Sequence, residues 1–163
     1  MFSFVWRQYP EDLTDPYFIR ETVFMDEQGF SEEFDEADRR ALHLTLYLDG
    51  ARAGCARLYE EEGGWHIGRV AVLKPFRGMG LGAELMQEAE RKAVSLGAEA
   101  VSLSAQVQAQ GFYEKLGYRA VTGSYLDEHC PHVGMEKKLG GEGRLFLYTG
   151  RQVKVQWKVE KAE

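Results

Sequence analysis

The stretch Arg69-Val70-Ala71-Val72-Leu73-Lys74-Pro75-Phe76-Arg77-Gly78-Met79-Gly80-Leu81-Gly82 carries the most informative pattern in the chain. It predicts a buried strand over residues 69–72, a glycine-rich turn, and a helix over residues 81–96. Three glycines at alternate positions allow the backbone to approach a ligand closely. The unpaired N–H groups and the positive dipole at a helix start attract anions, and Arg77 adds a fixed positive charge. We therefore predict a phosphate or pyrophosphate site at this turn.

Two named glycine-rich sites and a purely structural turn compete with this interpretation. A P-loop requires Lys-Ser/Thr after its last glycine, where this chain has Ala83-Glu84. A dinucleotide-binding fold fits better, because Gly78, Gly80 and Ala83 match G-x-G-x-x-A. In that fold, however, the strand runs directly into the glycine turn, whereas several residues intervene here. That fold also has its acidic ribose ligand at the end of the next strand, whereas in this chain Glu99 lies at the start of the next strand.

The composition is that of one globular domain over residues 1–163, with 44% hydrophobic and 28% charged residues. The formal charge of −6 argues against a nucleic-acid partner and permits a cationic or amine substrate. We find no apolar run long enough to span a membrane and no secretory signal, and so expect a cytoplasmic protein. Cys55 and Cys130 are expected to be reduced thiols. The histidines and cysteines show no metal-site spacing, so no metal is expected.

Alternating and apolar segments predict a sheet around the central unit. Residues 42–48 alternate strictly, Asp49-Gly50 predicts a turn, and residues 51–59 form the return strand. A second polar turn leads into residues 65–72, so this half of the sheet is antiparallel. A strand over residues 100–105 follows the central helix and makes one parallel β-α-β unit. The other predicted elements are strands 2–7, 118–122 and 132–139 and helices 17–27 and 107–116, the first with Asp15 as its N-cap.

Two segments, the acidic residues 31–40 and the C-terminal residues 141–163, each allow more than one interpretation. The acidic residues 31–40 are either a solvated helix or loop, or part of the frame of a substrate cleft. Residues 141–163 differ in character from the 1–140 core. They predict an added hairpin with strands 144–148 and 152–159 around Thr149-Gly150. That hairpin could extend the sheet, shield an edge or join a partner subunit.

Two segments, in order and at the family's spacing, resemble the GNAT superfamily of acyl-CoA N-acyltransferases. Arg77-x-x-Gly80-x-Gly82 is similar to the pyrophosphate motif of that family, and the preceding strand looks like its pantetheine-binding strand. About thirty residues later, Gln106-x-x-Ala109-x-x-Phe112-Tyr113-Glu114-Lys115-Leu116-Gly117-Tyr118 is similar to its second signature. One departure is Gln106, where many members carry Asn. The resemblance implies an α/β (α+β) fold with a mixed, mostly antiparallel central sheet, one parallel β-α-β unit and flanking helices.

Looser patterns resemble the ElaA/YjcF-like branch of the family. They are Arg20-x-x-Val23-Phe24-x-x-Glu27-Gln28, then Asp38 and His43, and later Pro131-His132-x-x-Met135. The resemblance also implies which residues hold acetyl-CoA. The implied cofactor-binding residues are Val70, Ala71, Val72, Arg77, Gly78, Met79, Gly80, Leu81, Gly82, Gln106 and Phe112.

Acetyl transfer to an amine requires an acid for the leaving thiolate and a route for the amine proton. The resemblance makes Tyr113 the proton donor, although packing beside Phe112 would also explain an aromatic residue there. Three residues are candidates for the base that accepts the amine proton: His66, Glu27 and His132. His66 precedes the central strand near the position of a catalytic glutamate in some members, and the branch resemblance puts Glu27 and His132 near the acceptor cleft. Each of the three also has a structural explanation, and a water chain could serve instead.

The sequence therefore predicts an N-acetyltransferase that moves an acetyl group from acetyl-CoA to a primary amine, most simply of a small molecule. A peptide N-terminus or lysine is the less favoured acceptor, and a homodimer is compatible with the sequence. A second hypothesis is an acyl-CoA sensor without turnover, which would not need Tyr113. The third is dinucleotide binding.

Overall fold

The computed structural model describes residues 1–140, which form a seven-stranded sheet with helices on both faces. Its strands are Phe2–Gln8 (β1), Leu42–Leu48 (β2), Ala51–Glu61 (β3), Gly64–Val72 (β4), Ala100–Gln106 (β5), Arg119–Asp127 (β6) and Cys130–Lys138 (β7). Its α-helices are Thr14–Arg20 (α1), Leu81–Ser95 (α2) and Gln110–Lys115 (α3). The order across the sheet is β1-β2-β3-β4-β5-β7-β6, and within these residues only β4 and β5 pair in parallel. This arrangement confirms the predicted fold class.

The sheet separates two layers of apolar packing. On one face, α2 buries Leu85, Met86 and Ala89 against the sheet, as its 3.6-residue period predicts. On the other face, Ile19 of α1 packs with Val23, Cys55 and two residues from the end of β4 and its exit. Burial of each large aliphatic side chain contributes about 2 kcal/mol. The central strands are therefore packed on both faces, and this packing fixes the positions of their ends.

The two central strands separate halfway along their length. Strands β4 and β5 pair only at Trp65 with Val101 and at His66 with Ser102. Beyond those pairs, β4 remains bonded to β3 and β5 to β7, so the two strands diverge. The divergence leaves one edge of β4 without a neighbouring strand. An open edge inside the sheet can bind an extended ligand as an added strand would be bound.

A bulge at Arg69 changes the register between β3 and β4. Cys55 pairs with Ala71 whereas Arg57 pairs with Gly68, so Arg69 and Val70 together oppose Ala56. Arg69 has a φ of +53°, the left-handed region that a bulge requires. At this bulge the Arg69 side chain pairs with Glu33 and Asp35, whereas Val70 and Val72 pack in the cluster that contains Leu81 and Leu85 of α2.

Several element ends differ from the sequence prediction. Helix α1 begins at Thr14 with Leu13 as its N-cap residue, so Asp15 lies in the first turn and binds Tyr47 and Arg52 instead. The helix then continues as a π-helix over Glu21–Glu27. Strand β6 extends to Asp127, beyond the predicted end at residue 122. The predicted hairpin over residues 141–163 lies outside the described residues. In the described part of the chain, the helices are too short or too polar to cross a bilayer.

Candidate active site

A cavity of about 270 Å³ lies where β4 and β5 diverge. One wall comes from β4, the opposite wall from β5 and α3, and a third from residues 23–33 together with the β6–β7 turn. The predicted site residues that line it are Val70, Ala71, Val72, Arg77, Gln106, Tyr113 and His132. The predicted residues that do not line it are Gly78, Met79, Gly80, Leu81, Gly82, Phe112, His66 and Glu27.

The free edge of β4 directs backbone groups into this cavity. Leu73 N–H donates to Ala53 O at 2.8 Å, so the backbone groups of Leu73 point toward β3. Because successive residues of a strand point their backbone groups to opposite edges, those of Val72 and Val70 point toward β5. There the strand has no ladder partner. This edge can therefore form strand-like hydrogen bonds with an amide-containing arm.

The glycine turn leaves the start of α2 open. Gly78 and Gly80 have φ values of +83° and +78°, which favour glycine, and an added Cβ at either position would meet no atom within 4 Å. Gly80 is the N-cap residue of α2, and no side chain caps the helix start. The first N–H groups of α2 therefore lack helical and side-chain acceptors, which is the arrangement that binds phosphates. Gly82 lies against Phe112, whose ring would be 3.2 Å from an added Cβ.

Arg77 lies between the turn and the strand. Its Nε donates to Val72 O at 2.8 Å, and its Nη2 donates to Glu27 Oε1 at 2.7 Å. Glu27 is thus the ion-pair partner of Arg77. The positive charge predicted beside the glycine turn is present, and it is shared with a carboxylate.

Tyr113 lies on α3, packs against the core and lines the cavity. The ring contacts Phe112 and Tyr118 edge-on, at centroid distances of 5.0 and 5.9 Å. Burial raises the pKa of Tyr113 to about 12. Among the described residues the hydroxyl has no hydrogen-bond partner. It is therefore a protonated phenol, free to donate to a group that enters the cavity.

His132 is buried in β7 and has a defined tautomer. Its Nδ1 lies 2.9 Å from Cys130 O, and because a carbonyl oxygen only accepts, Nδ1 carries the ring proton in the neutral form. Nε2 is then an acceptor, without a hydrogen-bond partner in residues 1–140. The ring stacks on Tyr125, whose hydroxyl is hydrogen-bonded to Ser104, another residue of the cavity wall.

The remaining predicted residues occupy other positions. His66 lies on β4 before the divergence and stacks on Tyr59 at 5.3 Å, outside the cavity lining. Gln106 lies at the end of β5, where its Nε2 donates to Gln28 and its Oε1 accepts from Gln108, each at 2.7 Å. Among the described residues, no group of three or more His, Cys, Asp or Glu side chains could hold a metal ion.

A largely buried network of charges, two members of which line the cavity, was not predicted. Arg20, only 1% exposed, donates to Glu33 at 3.0 Å and to Asp38 at 2.8 Å. Arg57 donates to Asp38 at 2.8 Å, and Arg69 approaches Glu33 at 2.7 Å. Burial opposes ionisation of Asp38, but its two arginine partners outweigh that effect and lower its pKa to about 2. The network holds the acidic segment against the Arg69 bulge.

Sequence reasoning assigned this segment to a solvated surface or a cleft frame because acidic residues rarely lie inside proteins. Glu33 is nevertheless only 5% exposed and lines the cavity. Its partners come from α1 and β4, far away in sequence. A pattern of charges within residues 31–40 alone cannot reveal such pairing.

Comparison with known proteins agrees with this arrangement. Residues 13–139 match the model of the acetyltransferase (GNAT) domain family. YjcF of Bacillus subtilis, an uncharacterized N-acetyltransferase, is 36% identical over 130 residues, which cover 78% of this chain and 93% of YjcF. The Escherichia coli protein ElaA is 35% identical over 74 residues, covering 45% of this chain and 48% of ElaA.

Solved structures show the same fold over nearly all of the described residues. An acyl-CoA N-acyltransferase from Pseudomonas aeruginosa superposes with a TM-score of 0.76 and 30% identity, covering 84% of this chain and 99% of that one. The crystal structure of ElaA gives a TM-score of 0.77 at 26% identity, covering 85% of this chain and all of that one, 100%. The chain is an acyltransferase and belongs to the GNAT acetyltransferase family, in the branch that contains ElaA and YjcF.

Proposed function

We propose that the protein transfers the acetyl group of acetyl-CoA to the primary amine of a small molecule. The observation that carries the proposal is that β4 and Tyr113 line one cavity, and that the open start of α2 follows the end of the same strand. A GNAT neighbour from Elizabethkingia anophelis has acetyl-CoA bound, and it shares the fold with a TM-score of 0.68. That neighbour supports acetyl-CoA as the cosubstrate.

In this proposal the cofactor is held along β4 and α2. The N–H groups of residues 78–82 bind the pyrophosphate, assisted by the dipole of α2 and by Arg77. Val70, Ala71 and Val72 bind the pantetheine arm by backbone hydrogen bonds, and Gln106 and Phe112 border it. A main-chain N–H of the β4 edge polarises the thioester carbonyl and stabilises negative charge on its oxygen. Acetyl-CoA then extends from the glycine turn into the cavity, with its sulfur beside Tyr113.

The chemistry then requires one bond to form and one to break. The neutral amine nitrogen attacks the thioester carbon, the C–N bond forms, and the C–S bond breaks as the thiolate leaves. Tyr113 gives its proton to the thiolate, and the proton of the attacking nitrogen passes to Nε2 of His132. His132 is favoured as the base because it lines the cavity, whereas His66 does not and Glu27 is paired with Arg77.

The raised pKa of Tyr113 suits an acid that must stay protonated. A phenol with a pKa of about 12 would release its proton reluctantly to a thiolate in water, where thiols have a pKa of about 8.5. In the buried site, desolvation also raises the basicity of the thiolate. The pKa of the phenol and the pKa of the thiol are both raised, so the proton transfer remains feasible.

The size of the cavity favours a small acceptor. At about 270 Å³ it lies near the lower limit of about 300 Å³ for pockets that bind drug-sized ligands. The acetyl end of the cofactor must share this space with the amine.

The test is release of free thiol from acetyl-CoA by the purified protein across a panel of small primary amines, with the acetylated amine identified by mass spectrometry. We expect thiol release that depends on both the amine and the protein. Binding of acetyl-CoA without thiol release by any amine would favour the sensor hypothesis. Stabilisation against heat by a nicotinamide dinucleotide, but not by CoA, would favour dinucleotide binding.

A further inference from the structure

The acceptor side of the cavity carries an excess of negative charge. Glu32, Glu33 and Asp127 all line it. The two arginines that line it are both paired, Arg69 with Glu33 and Asp35 and Arg77 with Glu27. After these pairings, Glu32 and Asp127 remain exposed at the rim without a cationic partner among the described residues. A negative rim attracts cations and repels carboxylates.

Glu33 differs from the rim residues because it is buried and only half satisfied. Its Oε2 accepts from Arg20 Nε at 3.0 Å and lies 2.7 Å from Arg69 Nε. Its Oε1 has no hydrogen-bond partner within residues 1–140. Burial raises the pKa of Glu33 in spite of the arginines. Glu33 lines the cavity, so a carboxylate oxygen that has no protein partner can accept a hydrogen bond from a donor that enters with a ligand.

The acidic segment is held in a fixed position by the turn between β6 and β7. The carboxylate of Glu128 accepts from Ser31 N–H at 3.0 Å, from Ser31 Oγ at 3.0 Å and from Glu32 N–H at 2.9 Å. His129 Nε2 lies 2.7 Å from Gln28 O and ties the same two segments together. Asp127, which precedes this turn, therefore belongs to the same wall as Glu32 and Glu33. A wall held in this way can recognise a ligand at low entropic cost.

We propose that the acceptor is an alkyl diamine: Glu33 Oε1 binds the ammonium group that reacts, and the rim carboxylates of Glu32 and Asp127 bind the second ammonium group. The proposal rests on the N-acetyltransferase function proposed above. An ammonium group has three donors, so it can bond to Glu33 and lose one proton to solvent to become the neutral amine that attacks; the second proton passes to His132 as the amide forms. The second charge selects a linear diamine over a neutral amine of the same length, and a carboxylate at that end is repelled.

The test compares three acceptors of matched length: 1,4-diaminobutane, butylamine and 4-aminobutanoate. Thiol release from acetyl-CoA gives kcat/KM for each. We expect 1,4-diaminobutane to exceed butylamine by about tenfold or more, equivalent to about 1.4 kcal/mol, with 4-aminobutanoate the poorest. In the Glu32→Gln, Asp127→Asn double variant, the ratio of diamine to butylamine should fall toward one. The matched control is Glu21→Gln, an exposed carboxylate on the π-helix, which should keep the wild-type ratio.

Glu33→Gln tests the buried position. The amide oxygen can still accept from the two arginines, and the amide NH₂ group then faces the cavity and repels ammonium. We expect KM to rise about tenfold or more for both the diamine and butylamine. Because this variant removes a buried charge and could unfold, the rim variants provide the independent test.

The outcomes separate this inference from the function on which it rests. If butylamine and 4-aminobutanoate react as fast as the diamine, or if the rim variants keep the diamine preference, the acceptor assignment is wrong and the acetyltransferase function stands. If no amine releases thiol, protection of the protein–CoA complex against heat by 1,4-diaminobutane decides the matter. Protection that is lost in the rim double variant supports the acceptor site, and its absence in the wild type overturns it.

Discussion

Arg77 is hydrogen-bonded to the backbone carbonyl of Val72, on the strand that we assign to the cofactor. The Arg77 Nε donates to Val72 O at 2.8 Å, and its Nη2 is held by Glu27 at 2.7 Å. Both Arg77 and Val72 are expected to contact acetyl-CoA, one at the pyrophosphate and one at the pantetheine arm. We therefore expect the side chain of Arg77 to leave Val72 when the cofactor binds, a movement that its ion pair with Glu27 would oppose.

Replacing Glu27 by glutamine should strengthen binding of CoA. The substitution removes the charge that competes with the pyrophosphate for Arg77. We expect the Kd of CoA to fall about threefold to tenfold, a change of about 1 kcal/mol for a partly exposed ion pair. Isothermal titration calorimetry measures it, with Glu21→Gln as a charge-matched control. A higher Kd in Glu27→Gln would mean that Glu27 supports cofactor binding instead.

The choice of base is tested by pH–rate profiles. If His132 accepts the amine proton, wild-type kcat should decline at acidic pH, and His132→Asn should remove that decline while lowering kcat about 10²-fold. His66→Asn and Glu27→Gln should both keep the acidic decline, because neither residue lines the cavity. If the acidic decline disappears in one of these two variants but persists in His132→Asn, the residue replaced in that variant is the base.

Gly80→Ala should weaken CoA binding by straining the start of α2. Gly80 has a φ of +78° with no atom near an added Cβ, so the cost is conformational, about 1 kcal/mol of folding free energy. We expect that loss of stability together with a weaker CoA-induced rise in Tm. Gly50→Ala, at a φ of +84° in the β2–β3 turn and also without neighbours, is the matched control. It should lose similar stability and keep the full response to CoA; equal responses would remove the turn from the cofactor site.

Tyr113→Phe should lower kcat about 10²-fold and leave the Kd of CoA within about twofold. The hydroxyl has no partner in the described protein to lose, so folding should be little affected. Because the pKa of Tyr113 is raised to about 12, the phenol stays protonated through pH 10, and any alkaline decline below that pH must have another cause. The control is Tyr118→Phe, which loses the hydrogen bond from its hydroxyl to Glu90 and should cost stability without the loss of kcat. Unchanged turnover in Tyr113→Phe would exclude the phenol as the acid.

Local patterns revealed most of the elements. The alternation of residues 42–48 indicates a strand and the 3.6-residue period of α2 indicates a helix, so both elements appear at almost the predicted positions. Strand β2 is nevertheless buried on both faces, at His43 and Thr45 as well as at its central leucines. The glycine turn was also predictable, since only glycine readily adopts the φ of Gly78 and Gly80. The end of β6 was missed because Thr122-Gly123 reads as a break, whereas the strand continues through a register shift at that point.

The part of the site that depends on tertiary pairing could not be predicted. Burial of Glu33 becomes tolerable only because Arg20 and Arg69 arrive from other elements. The ion pair of Glu27 with Arg77 joins residues 50 positions apart, and it offers a different role for a residue considered as a base. The tautomer of His132 likewise depends on the backbone of β7. Such contacts leave no periodic signal in the sequence.

The central claim is that acetyl-CoA lies along β4 with its sulfur beside Tyr113, and a crystal structure of the complex with CoA tests it most directly. The account predicts the pyrophosphate on the N–H groups of residues 78–82, pantetheine amides bonded to Val70 and Val72, and the sulfur within about 3.5 Å of the Tyr113 hydroxyl. Arg77 should have left Val72. CoA bound away from β4, or a sulfur out of reach of Tyr113, would contradict the account.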